Sequence, residues 1–319
     1  MTFTQSYSDL VERILFSGYE YPDPNRKGVI RKEVFPAIIT HDMQESFPLL
    51  TSKRIFTRGV FYELKWMLLG RTDLNFLRDH GIKNIWDKDA YNFALKSRFT
   101  GSMEEFLSDI DNGTLFSLGP IYGKQYRNAG GVDQLLNVVN ALLDPNKRYS
   151  SNLIINSWSV PELHKMALPP CHHEMQFNCR PSEDGEHYLD LQFSMRSSDV
   201  ILGLPWNFAF YGMLLEIISK ITGLRPGLLT YFGKKVHLYN NQYEAAKETV
   251  NRTNVPNNLE LSEPKAIVNL NEALLESVYD SATLTTLINS MNLDTVKFEG
   301  YVNMGDLINK PDMLVYNVK

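Results

Sequence analysis

The sequence predicts an α+β fold, with a largely antiparallel or mixed sheet and helices packed on one side of it. Two observations carry this reading. Short runs rich in β-branched and aromatic residues, bounded by turn signals, cluster between residues 152 and 196, apart from segments whose apolar residues fall at helical spacing. One further run, PWNFAFYGMLLEIISKITG, is long enough for a buried helix. No Ser/Gly/Pro-rich linker, sustained charge run or repeat divides the 319 residues, so residues 1–319 read as one domain.

Taken in order, the chain opens with an amphipathic helix around Ser8–Ser17, followed by a polar turn, YPDPNRKGV. The alternating run RKEVFPAII then reads as the strand that starts the sheet. From Thr57 to Leu69 the apolar positions are helical, and VDQLLNVVNALLD forms a second strong helix that ends before DPNKRYSS. NLIINSWSV, HEMQFNCRP and YLDLQFSMR read as strands.

Composition narrows the function classes. Apolar residues make up 43% and charged residues 22%, which is ordinary for a globular protein able to bury a sizeable core. The net charge of -5 arises from 37 acidic and 32 basic residues that are well mixed, so no basic face for polymeric nucleic acid is expected. The N-terminus lacks a basic start followed by an apolar run, and no stretch reaches 18 apolar residues; no export signal or membrane span is expected, and the cytoplasm is the expected compartment.

The chain has two cysteines, Cys171 and Cys179, eight positions apart and on neighbouring parts of one strand, which disfavours a disulfide. Cys171 stands in LPPCHHEMQF, where it could be a buried filler, a metal ligand or a nucleophile. A lone Cys-His-His without a second ligand pair is a poor tetrahedral set, so no metal is expected. A nucleophile needs a stiff backbone and a nearby cation to favour the thiolate. Pro169 and Pro170 supply the first, and Arg196, always protonated, is the candidate for the second.

The blocks FPLLTSKRIFTRGVFYELKWMLLG, NIWD, LGPIYGKQYR, GGVDQL, ALPPCH, RSSDVILGLPWNFAFY, HLY and FEGY resemble, together and in order, the thymidylate synthase superfamily. The resemblance runs from about Arg26 to about Tyr301. It implies a thymidylate synthase-like fold, a homodimer formed sheet against sheet, and transfer of a one-carbon unit from 5,10-methylenetetrahydrofolate to C5 of dUMP. By resemblance, Cys171 adds to C6 of the ring, while Glu63 and Tyr122 serve proton transfer. Arg26, Arg196 and Ser197 match phosphate ligands, Asn207 the residue that reads the uracil edge, and His237 and Tyr239 the pair on the ribose hydroxyl. Trp86, Asp199, Leu202, Gly203 and Trp206 match folate-site positions, Trp206 standing where phenylalanine is usual. Taken singly, each of these is an ordinary surface charge or packing residue.

Departures from the pattern bear on the product. Ser151 and Asn152 occupy the positions of a paired Arg-Arg that the family donates across the dimer, with Lys147 and Arg148 just upstream. Met195 replaces a glutamine and resembles the hydroxymethylase branch. Residues 86–108 and 259–295 read as insertions, and the tail 302–319 diverges, ending in a charged Lys319. A dUMP hydroxymethylase of the phage type, working in a host cytoplasm, is therefore expected, with thymidylate synthase as the alternative. A non-catalytic nucleotide- or RNA-binding relative and an interaction protein using the two insertions remain as rivals.

Overall fold

A computed structural model describes residues 1–24, 26–254, 264–276 and 278–308. Helix α1 (Phe3–Ser17) starts five residues ahead of the expected Ser8, because Thr2 caps it by accepting from Gln5 N–H at 3.2 Å. Its face of Phe3, Tyr7, Leu10, Val11 and Ile14 is buried, and Tyr7 donates to Val200 O at 2.7 Å. Strands β1 (Tyr19–Pro22), β2 (Ile30–Val34) and β3 (Ala37–Asp42) follow. The alternating run read as one strand is thus two: Pro36 has no N–H for a ladder, and the chain breaks there.

Helices α2 (Thr57–Leu68), α3 (Leu74–Asp79), α4 (Asp87–Lys96), α5 (Met103–Asp111), α6 (Tyr122–Asn128) and α7 (Gln134–Leu143) then form a helical layer. Gly123 allows α6 to cross close to α2, since a Cβ there would lie 2.7 Å from Arg71 O. Next come β4 (Ile154–Asn156), β5 (His172–Pro181), β6 (His187–Asp199), the buried helix α8 (Gly203–Thr222), β7 (Arg225–Tyr239) and α9 (Tyr243–Asn254). Gly223, at φ +68°, ends α8 in the left-handed conformation that glycine adopts freely. The remaining elements are β8 (Lys265–Val268), α10 (Glu272–Leu275), α11 (Ser281–Ser290) and β9 (Val296–Glu299).

The main sheet is mixed, in the order β1-β2-β7-β6-β5-β4, with β3 continuing β2 along the same side of β7. Only β6 and β7 run parallel; the other pairs are antiparallel. Helices α1 and α8 cover one face and meet through Phe3 and Phe208, whose ring centroids are 4.6 Å apart. Beneath them, Phe193 stacks on Tyr211 at 4.1 Å, one of several aromatic contacts each worth about 1 kcal/mol beyond the area it buries. On the other face Ile38, Thr40, Gln176, Gln192, Thr230 and Phe232 are exposed or half-buried. Among the described residues no helix is long and apolar enough to cross a membrane.

Of the two segments read as insertions, residues 86–108 fold as α4 and the start of α5, and the described part of 259–295 contributes β8, α10 and α11. Most of the divergent tail, residues 309–319 with Lys319, lies outside the described residues.

Candidate active site

The candidate site lies where the C-terminal ends of β6 and β7 meet the N-terminus of α8, the residue before β5, and helices α2 and α6. Cys171, half-buried, is fixed through its own backbone: its N–H donates to Tyr122 Oη at 2.8 Å and its carbonyl accepts from Arg196 N–H at 2.8 Å. The Arg196 guanidinium donates to Pro170 O at 2.9 Å and Pro169 O at 2.6 Å, and its terminal nitrogen stands 3.7 Å from Cys171 Sγ. The two prolines therefore do more than stiffen the approach; they offer the carbonyls that aim the arginine at the sulfur. Burial pushes the thiol's pKa up, and Arg196, with Arg31 and Arg26 farther away, pulls it back down, while Asp89 acts with burial. Cys179 is free and buried in β5.

Tyr122 is buried at the start of α6 and stacks on His172, with ring centroids 4.3 Å apart. His172 shares a 2.7 Å hydrogen bond with Tyr211 Oη, and its burial drives its pKa down to about 3, so the ring is neutral. Glu63, on α2, is buried and receives two indole N–H bonds: Trp86 to Oε1 at 2.8 Å and Trp206 to Oε2 at 2.6 Å. Burial raises its pKa, and the two bonds oppose that shift by stabilising the charged form.

At the end of β6, Asp199 accepts from Ile201 N–H and Leu202 N–H at 3.0 and 2.9 Å, holding the turn into α8, and from Gln242 Nε2 at 2.8 Å. Gly203 opens α8 beside it, and Asn207 lies a turn further on, its amide donating to Met195 Sδ at 3.4 Å. On β7, His237 and Tyr239 face each other at 4.8 Å, with Arg26 stacked over the Tyr239 ring at 4.6 Å. His237 is 2% exposed, its Nε2 has no hydrogen-bond partner among the described residues, and burial takes its pKa down to about 3. A buried, unpartnered ring nitrogen suits a ligand hydroxyl. Ser197 lies in the β6 ladder opposite Lys235.

The structure thus ties Cys171, Tyr122 and Arg196 to one another, Glu63 to Trp86 and Trp206, and Arg26 to Tyr239; the two substitutes for the paired arginines lie apart from Cys171. Lys147 pairs with Asp144 at 3.2 Å, and Arg148 sits near Cys179, at the far half of β5 from Cys171. Four neighbours were not read from the sequence: Arg31, which pairs with Asp23 at 2.5 Å and reaches toward Tyr239; His172; Gln242; and Asp89, whose pKa burial raises to about 6. A cavity of about 610 Å³ elsewhere, between α7 and the segment 146–154, contains none of the site residues.

A thiol beside an arginine, a buried carboxylate held by two indoles and two arginines over Tyr239 at a strand end are parts that suit covalent group transfer. The comparisons agree. The thymidylate synthase family model matches residues 5–304. The thymidylate synthase of Enterobacteria phage T4 is 38% identical over 255 residues, covering 78% of this chain and 81% of that protein. The probable thymidylate synthase of Escherichia phage T5 is 37% identical over 254 residues, with 78% and 83% covered. The crystal structure of the phage T4 enzyme superimposes with a TM-score of 0.79 at 30% identity, covering 97% of this chain and 99% of that one. The chain belongs to the thymidylate synthase family, whose members bind dUMP and folate, use methylenetetrahydrofolate as co-substrate and are usually dimeric.

Proposed function

We propose that this protein transfers a one-carbon unit from 5,10-methylenetetrahydrofolate to C5 of dUMP and releases 5-hydroxymethyl-dUMP, a precursor for modified-base DNA. Arg26, Arg196 and Ser197 hold the phosphate, His237 and Tyr239 the ribose hydroxyl, and Asn207 the uracil edge, with donor and acceptor on one amide. The Cys171 thiolate adds to C6, which makes C5 nucleophilic toward the folate methylene. Glu63 and Tyr122 manage the protons, including removal of the C5 hydrogen. Trp86, Asp199, Leu202, Gly203 and Trp206 line the folate side. Departure of tetrahydrofolate leaves an exocyclic methylene at C5; water adds to it, the enolate collapses, and Cys171 leaves.

The observation that carries the hydroxymethyl product is Met195. It is 2% exposed and its thioether is turned onto Asn207 Nδ2 and Ser198 Oγ, both at 3.4 Å. A thioether has no donor and accepts weakly, so this position cannot tie down nucleotide, folate or water as an amide would. The alternative product, dTMP with dihydrofolate, is favoured by the names of the relatives. Purified protein with dUMP and methylenetetrahydrofolate decides between them: a nucleotide heavier by one formaldehyde, without dihydrofolate absorbance and absent in Cys171→Ser, is the expected result. A nucleotide heavier by one methylene with stoichiometric dihydrofolate would make the protein a thymidylate synthase. We also read residues 1–319 as one catalytic domain, and the sheet face with Ile38, 60% exposed, and Phe232 as the homodimer interface; sedimentation of a fully active monomer would exclude that interface.

A further inference from the structure

Glu63 is unusual in having both carboxylate oxygens bonded by indole N–H groups from different parts of the chain, Trp86 ahead of α4 and Trp206 in the first turn of α8. The second indole needs room beside α2. That room is made one helical turn before Glu63, at Gly59, where a Cβ would stand 2.4 Å from Trp206 Cη2. Trp206 is therefore seated in a notch of the helix that carries the acid, with its N–H aimed at Oε2 at 2.6 Å. A phenylalanine here, without the second ring that reaches Gly59, would leave the notch part-empty and Oε2 without this donor.

We propose that Trp206 is a positioning residue for Glu63: with Trp86 it clamps the carboxylate in one orientation, and Gly59 is the seat that lets it do so. The proposal rests on the role given to Glu63 above. A carboxylate has about four acceptor sites. Two are taken by the indoles, and the remaining two face a fixed direction, so a water or substrate hydroxyl meets an acceptor whose position is set before binding. Burial alone favours the protonated acid, a donor rather than an acceptor, and the second N–H bond works against that by binding the charged form.

The test is Trp206→Phe, followed by the pH dependence of turnover and by the indole N–H signals of ¹⁵N-tryptophan-labelled protein. Losing a bond to the charged form raises the acid's pKa, so the acid limb of kcat should move up by about one pH unit, the shift expected for one charge-assisted hydrogen bond. At a pH below the new limb kcat falls about 10-fold with KM for the nucleotide nearly unchanged. The Trp86 indole signal should titrate at the same raised pH. An unmoved limb together with an unmoved Trp86 titration overturns the proposal. Glu63→Gln gives a second reading that does not depend on the tryptophan variant folding. It should shift the indole signals of both Trp86 and Trp206 and leave that of Trp66, which bonds Asp73 O at 2.9 Å, in place; a Trp206 signal indifferent to the change overturns the clamp. If one-carbon transfer itself is wrong, wild type transfers no carbon to C5, and if only the product is wrong, wild type forms dTMP; in both cases the indole signals still report whether the clamp exists.

Discussion

Replacing Arg196 by methionine removes the cation whose terminal nitrogen lies 3.7 Å from Cys171 Sγ. Two unit charges at that distance attract by about 4 kcal/mol at an effective dielectric constant of 20. The guanidinium spreads its charge over three nitrogens and is half-buried, which reduces the useful part to about 2 kcal/mol, or about 1.5 pKa units. The sign is fixed: the arginine favours the thiolate, so its loss raises the thiol pKa on top of the rise that burial already causes. The assay is the rate of iodoacetamide alkylation against pH, in a Cys179→Ala background so that one thiol remains. Arg196→Met should raise the midpoint by about 1–2 units, and Arg196→Lys, which keeps the charge, by less than about half a unit. An unchanged midpoint in Arg196→Met would refute the electrostatic argument and leave Arg196 only its bonds to Pro169 O and Pro170 O. Equal shifts in both variants would assign the effect to the guanidinium's fork, not its charge.

Two further outcomes follow from the same geometry. Asn207→Asp removes the amide donor from the position proposed to read the base; kcat/KM for dUMP should fall by about 10²-fold or more with a gain for dCMP, and competition between the two nucleotides measures it. Unchanged dUMP preference would remove Asn207 from base recognition. His172 has a folded pKa of about 3, below its value of about 6.5 in the unfolded chain, so the unfolded state takes up the proton first. Its share of stability is complete above pH 6.5 and is lost as pH falls toward 3; His237 acts in the same direction. Urea unfolding between pH 6.5 and 4.5 should show a pH slope shallower by about 1.4 kcal/mol per unit in His172→Gln, and an identical slope would mean that His172 is charged in the fold.

Much of the fold was legible because local pattern and tertiary position agree. The strands around Cys179 and Phe193 alternate, and the apolar run from Pro205 to Gly223 is a helix that exposes little beyond Trp206, Asn207, Glu216 and Lys220. β7 was not legible as a strand, although it is the longest and joins β2, β3 and β6. Gly227, Gly233, Lys234 and Lys235 interrupt its apolar alternation, and its pairing is decided by partners as far as Arg31 from Tyr239, 208 positions away. Helix α5 was missed although Ser102 and Glu105 form a capping box that short-range reading can find. In the site, Cys171, Glu63 and Asn207 were readable as parts of recognisable blocks. Arg31 and Gln242 were not, because their roles depend on contacts such as Gln242 to Asp199, across 43 positions, which no local pattern encodes.

The bonds from Arg196 to the two proline carbonyls give one side chain two duties. On the function proposed above, the side chain that receives the phosphate is also the one that braces the chain immediately before the nucleophile. On that reading a substrate without its phosphate loses its contact with the residue that also holds Pro169 O and Pro170 O. On that reading the phosphate, remote from the carbon that changes, rests on the group that also fixes the nucleophile's backbone.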